Sequence, residues 1–259
     1  MDVVLFDLDD TLIADEEVSR SAMEASARLA AKLHGADMAQ FLADARRIST
    51  VLWRDNPAIA YCAEIGITAE ECLWGDFSAE AVPSLPPWAL YFRHALFDAV
   101  LREQDLHGDD GALAAEFSSS RRRLQRLMPN AKETLARLKP AFQLGLLTNG
   151  DPGLQREKIE ASGLAPFFDA ITVSGDHGIG KPSPDLFHIL LQKLGAAPGA
   201  ATMVGNSLAR DIAGARNAGL ARTVWLQVPG SEEYAEVTPD HTITGLHELP
   251  PLLRSLTSG

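Results

Sequence analysis

Residues 3–12 read VVLFDLDDTL, a short apolar run that passes directly into an acidic turn. Residues 3–6 are all aliphatic or aromatic, a pattern that favours a strand buried on both faces, as in a parallel sheet. In open parallel sheets, ligands bind at the carboxyl ends of the strands. The sequence therefore predicts a functional site directly after this first strand.

Beyond this stretch, the chain changes character twice. Apolar residues at three- and four-residue intervals predict helices over 16–33, 38–62, 69–77, 87–102 and 111–127. After residue 129, strands are predicted over 142–147, 170–173, 202–204, 222–226 and 241–243. Helices are predicted between and around them, over 131–139, 153–162, 184–194, 210–218 and 247–256.

Alternating strands and helices predict a parallel sheet with right-handed crossovers. We therefore expect an α/β fold: a Rossmann-like parallel-sheet core comprising residues 1–13 and 129–259. Residues 14–128 are expected to form an inserted α-helical domain, because the first strand precedes them and the other strands follow.

Composition narrows the classes of partner. The 259 residues carry a net charge of −12, which argues against nucleic acid or an anionic membrane surface as the main partner. The two cysteines, Cys62 and Cys72, cannot form a disulfide framework, so a reduced, cytoplasmic chain is expected. Acidic residues interrupt the N-terminal apolar stretch, which is unlike a signal peptide, and no run approaches the ~18 apolar residues of a membrane helix.

The first acidic turn brings two carboxylates together. Asp7 and Asp9 are two residues apart, and such neighbours repel unless a cation lies between them or one holds a proton. This arrangement permits a division of labour between a nucleophile and an acid/base. Carboxylate and carbonyl oxygens with open water positions suit Mg²⁺.

The later strands end in groups that suit an anion. Thr148 and Asn149 supply a hydroxyl, an amide and backbone N–H donors, and Lys181 supplies a positive charge. Asn206 and Asp211 follow the next strand. Taken alone, each group is more typical of a turn, a surface loop or a helix cap. Their order and their shared sheet edge favour a single site.

Four motifs carry a resemblance to a known family. They are DLDDT at 7–11, LLTNG at 146–150, GIGKPSPDLF at 178–187 and VGNSLARDIAGARNAG at 204–219. In type and order they resemble those of the haloacid dehalogenase-like hydrolases, in the subgroup whose helical cap is inserted after the first motif. The resemblance covers the whole predicted core.

The resemblance implies a mechanism through an aspartyl-phosphate. Asp7 would attack phosphorus, and Asp9 would protonate the leaving oxygen and then deprotonate the hydrolytic water. Thr148 and Asn149 would hold the phosphoryl oxygens, and Lys181 would offset their charge.

The resemblance also implies a Mg²⁺ ion, held by Asp7, the main-chain carbonyl of Asp9 and the fourth motif. The family usually has Asp where this chain has Asn206, so either Asn206 or Asp211 would complete the site. Because the Asn removes one negative charge, we predict weaker Mg²⁺ binding, with Asp211 essential as a direct or water-mediated ligand.

The expected function is hydrolysis of a small phosphorylated metabolite, such as a sugar phosphate or a nucleotide monophosphate. The dehalogenase branch of the family lacks an acid at the position of Asp9, which disfavours a 2-haloacid dehalogenase-type hydrolase. That activity and a non-catalytic phospholigand-binding role remain alternatives. No nucleic-acid or membrane partner is expected, and the protein is expected to be a monomer or a homodimer.

In family members with a cap, the insertion closes over the site and selects the leaving group. Here Arg54 or Arg93 is a candidate contact to an acidic substrate, and an aromatic ring is a candidate for stacking. Aromatic residues at helical spacing are more often part of a core.

Overall fold

The chain divides into two units, which a computed structural model describes over residues 2–108, 110–228 and 237–257. One unit combines residues 1–15 with residues 126–259. The other comprises residues 16–125 and is inserted into the first along the sequence. We call them the core unit and the helical unit.

The core unit is built on a parallel sheet of six strands in the order β3-β2-β1-β4-β5-β6. The strands are β1 (Val3–Phe6), β2 (Gln143–Thr148), β3 (Ala170–Val173), β4 (Ala201–Gly205), β5 (Arg222–Leu226) and β6 (His241–Ile243). The predicted α/β fold with a parallel sheet is confirmed, and each strand falls where its apolar run predicted it.

The helical unit contains a break that the sequence analysis did not predict. Its helices are α1 (Asp15–His34), α2 (Met38–Trp53), α3 (Ile59–Ile65), α4 (Ala69–Cys72), α5 (Leu85–Arg102) and α6 (Asp110–Arg123). The single helix predicted over 38–62 is therefore wrong. Pro57 lies between α2 and α3, and proline both lacks an N–H and disfavours helical backbone in the preceding residue.

The helices of the core unit cover both faces of its sheet. They are α7 (Ala131–Leu138), α8 (Pro152–Ser162), α9 (Pro184–Leu194), α10 (Ala213–Asn217) and α11 (Leu249–Thr257). Among the described residues of both units, every helix is too short or too polar to cross a bilayer.

Strand β1 is buried on both faces, as its sequence predicted. Val4 and Phe6 pack into one apolar cluster with Leu135 of α7, and Val3 and Leu5 pack into another with side chains of α9. All four strand residues are at most 1% exposed. Since β1 also pairs with β2 and β4, the residue that follows it emerges at the centre of the sheet edge.

The two crossings of the chain between the units lie side by side within the core unit. The backbone N–H of Ala14 donates to the carbonyl of Arg126 at 3.0 Å, and that of Met128 donates to the carbonyl of Leu12 at 2.9 Å. The chain therefore leaves and re-enters the core unit at neighbouring points.

Candidate active site

The first carboxylate after β1 is held by a buried lysine. Lys181 Nζ lies 2.6 Å from Asp7 Oδ1, 2.7 Å from Asp211 Oδ1 and 2.9 Å from the carbonyl oxygen of Leu147. These three acceptors use all three protons of the ammonium group. We call Lys181, Asp7 and Asp211 the Lys181 centre; its side chains are no more than 9% exposed.

Burial and charge act against each other in the Lys181 centre. Burial raises the pKa of Asp211 to about 6, although the charge of Lys181 opposes the shift. Burial by itself lowers the pKa of Lys181, but the carboxylates of Asp211 and Asp7 outweigh it, and the net shift is upward. The lysine therefore stays charged between two carboxylates, and the centre retains an excess of negative charge that favours a further cation.

A single π-helical turn sets the position of Asp211. The turn spans Leu208–Ile212, and the hydroxyl oxygen of Ser207 caps it by accepting the backbone N–H of Arg210 at 3.2 Å. Asp211 Oδ2 accepts the backbone N–H of Ser207 at 3.0 Å. A Cβ at position 205 would lie 2.3 Å from Asp211 Oδ2, so the close approach requires Gly205. Such π-turns are frequent at functional sites.

The hydroxyl of Thr11 joins the first and fourth motifs. It lies 2.9 Å from Asp7 Oδ2 and 3.2 Å from Asn206 Oδ1, and it accepts the backbone N–H of Asn206 at 3.1 Å. The carbonyl of Asn206 accepts the indole N–H of Trp225 at 2.8 Å. Two side-chain oxygens, one from Asp7 and one from Asn206, therefore converge on one hydroxyl.

This donor set fits a hard divalent cation. In the parts of the chain that the structure describes, no three His, Cys, Asp or Glu side chains are grouped to hold a metal ion. The oxygens here come instead from one carboxylate, Asp7, and one amide, Asn206, and Mg²⁺ accepts both types. Asp211 is only 1% exposed and its oxygens contact Lys181 and Ser207, whereas Asn206 is only partly buried, so Asn206 presents the more accessible oxygen.

The turn after β2 fixes the loop that carries Lys181. The Asn149 amide donates to the carbonyl of Lys181 at 3.0 Å and accepts its N–H at 2.8 Å. The backbone N–H of Gly150 donates to Ser174 Oγ at 2.8 Å, and the Lys181–Pro182 peptide bond is cis. The side chain of Asn149, predicted to hold a phosphoryl oxygen, thus pairs here with the backbone of Lys181.

The second carboxylate, Asp9, has a lysine of its own. Lys158 Nζ lies 3.0 and 3.1 Å from the two carboxylate oxygens of Asp9, and 3.0 Å from Asp15 Oδ1. Gln155 Nε2 donates to Asp9 Oδ2 at 3.2 Å, and Gln155 Oε1 accepts the hydroxyl of Thr148 at 3.2 Å. We call Lys158, Asp9 and Asp15 the Lys158 centre.

Gln155 and Lys158 were not predicted from the sequence as site residues. Both lie on α8, three residues apart and therefore on one face of the helix, and both are fully buried. Polar residues on a helix are usually exposed, so the helical pattern gave no reason to expect either residue in a buried site. Their spacing directly after the turn that contains Thr148 was the available signal.

Two of the predicted substrate contacts of the helical unit, Arg93 and an aromatic ring, have structural partners within that unit. Arg93 Nε donates to the carbonyl of Cys72 at 2.8 Å, and a second guanidinium N–H bonds the carbonyl of Gly75. Burial lowers the pKa of Arg93. Trp53 packs edge-on against Trp88, with ring centroids 5.5 Å apart. Contact between this unit and a substrate stays a prediction.

Comparison with known proteins places the whole chain in one group. The family described as "haloacid dehalogenase-like hydrolase" matches residues 1–219. The phosphoserine phosphatase of Thermus thermophilus is 37% identical over 250 residues, covering 96% of this chain and 98% of its own length. The rat (Rattus norvegicus) N-acylneuraminate-9-phosphatase is 31% identical over 259 residues, covering 98% and 94%.

A solved structure with a similar fold belongs to the same group as these sequence relatives. The Mg²⁺-bound HAD-hydrolase YfnB of Bacillus subtilis matches with a TM-score of 0.66 at 25% identity, covering 97% of this chain and 98% of its own. The similarity to this structure therefore includes residues of both units.

Proposed function

The chain belongs to the haloacid dehalogenase-like hydrolase family, and we propose that it is a Mg²⁺-dependent phosphatase that hydrolyses a small phosphorylated metabolite. One observation carries the proposal: the carboxylate of Asp7, at the centre of the sheet edge, is bonded to a buried ammonium group. A carboxylate fixed in this way is oriented to act as a nucleophile, and the adjacent positive charge suits a phosphoryl group. The named relatives are phosphatases, which supports this class of reaction.

In the first step, the Asp7 carboxylate attacks phosphorus and the bond between phosphorus and the ester oxygen breaks. Asp9 gives its proton to the departing oxygen, so the products are an aspartyl-phosphate on Asp7 and a neutral alcohol. Lys181 offsets the charge of the phosphoryl oxygens, and the hydroxyl of Thr148, at the end of β2, would bind one of them.

In the second step, water attacks the phosphorus of the aspartyl-phosphate while Asp9 accepts a proton from it. This releases inorganic phosphate, restores the Asp7 carboxylate and leaves Asp9 protonated for the next cycle. A bound Mg²⁺ ion would supply charge neutralisation during both steps. Asp7, the main-chain carbonyl of Asp9 and Asn206 are the groups that would hold it, with Asp211 as a direct or water-mediated contact.

The substrate class is part of the proposal. A sugar phosphate or a nucleotide monophosphate fits the expected chemistry, and the relatives add phosphoserine and N-acylneuraminate 9-phosphate to the compounds to be tested. In this proposal, the helical unit is a cap that selects the leaving group. The cytoplasmic location and the monomeric or homodimeric state stay predictions from the sequence.

The test is phosphate release from p-nitrophenyl phosphate and from these esters, with Mg²⁺ and with EDTA, for the wild type and Asp7→Asn. We expect turnover that needs Mg²⁺ and is lost in the variant, which keeps the size of the side chain and removes the nucleophile. The preferred ester would then define the substrate class.

Other results would favour the alternatives. Release of chloride from chloroacetate, without phosphate release, would indicate a dehalogenase. Saturable binding of a phosphate ester without turnover would indicate a non-catalytic binding protein. Either result would overturn the phosphatase proposal.

A further inference from the structure

Lys158 and Gln155 surround the carboxylate that is expected to transfer protons. We propose that these two residues position Asp9, and so determine how well the enzyme expels a leaving group that needs a proton. The inference rests on the proposed function, because it assigns a role within the same reaction.

Lys158 fixes Asp9 from the buried side. Its ammonium group contacts both carboxylate oxygens, at 3.0 and 3.1 Å, which selects one orientation of the carboxylate. The lysine side chain is fully buried, whereas that of Asp9 is 28% exposed, so part of the Asp9 side chain remains open to solvent. Asp15, at 3.0 Å, holds the ammonium group from a second direction.

Gln155 links this carboxylate to the turn after β2. One amide group accepts the hydroxyl of Thr148 and donates to Asp9 Oδ2, both at 3.2 Å. The amide is packed tightly against the turn: a Cβ at Gly150, where φ is +134°, would lie 2.5 Å from Gln155 Nε2. The group expected to bind phosphate and the group expected to transfer protons are thus joined through one side chain.

This placement matters because proton transfer requires hydrogen-bond contact with the reacting oxygen. A misplacement of about 1 Å can cost on the order of 100-fold in rate. The cost depends on the leaving group: p-nitrophenolate is a stable anion and leaves without a proton, whereas the alkoxide of an alkyl phosphate needs one. Loss of positioning should therefore slow alkyl esters selectively.

The experiment compares kcat/KM for an alkyl phosphate and for p-nitrophenyl phosphate in the same preparation of holoenzyme. The ratio of the two values does not depend on the fraction of folded protein. We expect Lys158→Met to lower the alkyl-to-nitrophenyl ratio by about 10- to 100-fold. Gln155→Met, which removes one contact to Asp9, should lower it several-fold, and Asp9→Asn sets the limit.

Two further variants make the result decisive. Lys158→Met/Asp15→Asn removes one of the carboxylates that Lys158→Met leaves uncompensated, and serves if the single variant does not fold. Lys193→Met is the control; this lysine on α9 bonds Thr172 Oγ1 at 2.9 Å and should leave the ratio unchanged.

The outcomes separate the two proposals. A wild type that turns over, with a ratio that stays constant or rises in the Lys158 and Gln155 variants, overturns the positioning role and leaves the phosphatase intact. A wild type without turnover sensitive to Asp7→Asn overturns the proposed function, and this inference with it.

Discussion

The Lys181 centre and the Lys158 centre have the same composition, one buried ammonium between two carboxylates, but differ in how far they are closed. In the Lys181 centre, the carboxylates are 9% and 1% exposed; in the Lys158 centre they are 28% and 17% exposed. Electrostatic interactions strengthen as water is excluded. We infer that the closed centre holds its charges rigidly, whereas the open one keeps a carboxylate within reach of solvent.

Removal of each ammonium group is the strongest test of the difference between the two centres. Lys181→Met would leave two buried carboxylates uncompensated, so we expect the free energy of unfolding at pH 7 to fall by about 3–5 kcal/mol. Urea denaturation in EDTA measures it, with Lys193→Met as control. A loss equal to that of the control would show that the closed centre does not stabilise the fold through this charge. Phosphatase activity should also be lost, because the neighbour of the nucleophile is gone.

The pH dependence of stability tests how closed the Lys181 centre is. The pKa of Asp211 is raised to about 6 in the folded state, so the folded protein binds this proton more tightly than the unfolded chain does. Its contribution to stability is complete below the unfolded pKa and is lost as the pH rises through about 6. In metal-free protein, we therefore expect the contribution of Asp211 to stability to fall between about pH 4 and pH 6, by up to ~3 kcal/mol.

Asp211→Asn removes this titration and is the matched variant. The difference in unfolding free energy between the variant and the wild type should shift in favour of the variant as pH rises from 4 to 6. Parallel stability curves would mean that Asp211 titrates as an ordinary carboxyl group. We also expect this variant to lose Mg²⁺-dependent activity, and retention of that activity would contradict the essential role predicted for Asp211.

Removing the ammonium group of Lys158 measures how much the more exposed centre contributes to stability. Because the carboxylates of the Lys158 centre are partly solvated, Lys158→Met should cost less than Lys181→Met, about 1–2 kcal/mol of unfolding free energy at pH 7. The same urea denaturation measures both variants. Equal losses would show that partial exposure of Asp9 and Asp15 does not screen their charges.

The smallest expected effect comes from adding a negative charge beside the Lys181 centre. The side chains of Asp7 and Asn206 both contact the hydroxyl of Thr11. Asn206→Asp replaces the amide oxygen at this point with a carboxylate oxygen, and should tighten Mg²⁺ binding about tenfold, or ~1.4 kcal/mol. Calorimetric titration of the metal-free protein with Mg²⁺ measures this directly. Unchanged affinity would place the ion away from Asn206.

The sequence predicted the sheet, and predicted that the residues of the Lys181 centre lie at one edge of it, for one physical reason. A buried parallel strand is a continuous apolar run, so it is visible in the sequence, and so is the polar residue that ends it. Asp7, Lys181 and Asp211 all follow such strands. Pro57 also marked the boundary between α2 and α3 in the sequence. The prediction of one continuous helix over 38–62 gave too much weight to the helical periodicity.

The Lys158 centre could not be predicted from the sequence, because tertiary contacts decide whether a polar residue on a helix is buried. Lys158 and Gln155 are polar residues on the helix that starts at Pro152, and helical patterns assign such residues to solvent. Only the position of Asp9 beside that helix shows that they face inward.

We expect the side-by-side crossings of the chain between the units to affect how the protein folds as it is synthesised. Strand β1 is made first, yet its partners β2 and β4 begin only at Gln143 and Ala201. The entropic cost of closing a chain loop grows with the number of flexible residues in it. Once the insertion is folded and its ends are paired through Leu12 and Met128, the nascent chain needs to close only a short remaining loop to bring β1 to β2. We expect the helical insertion to act, during synthesis, as a tether that keeps the first strand available for the sheet.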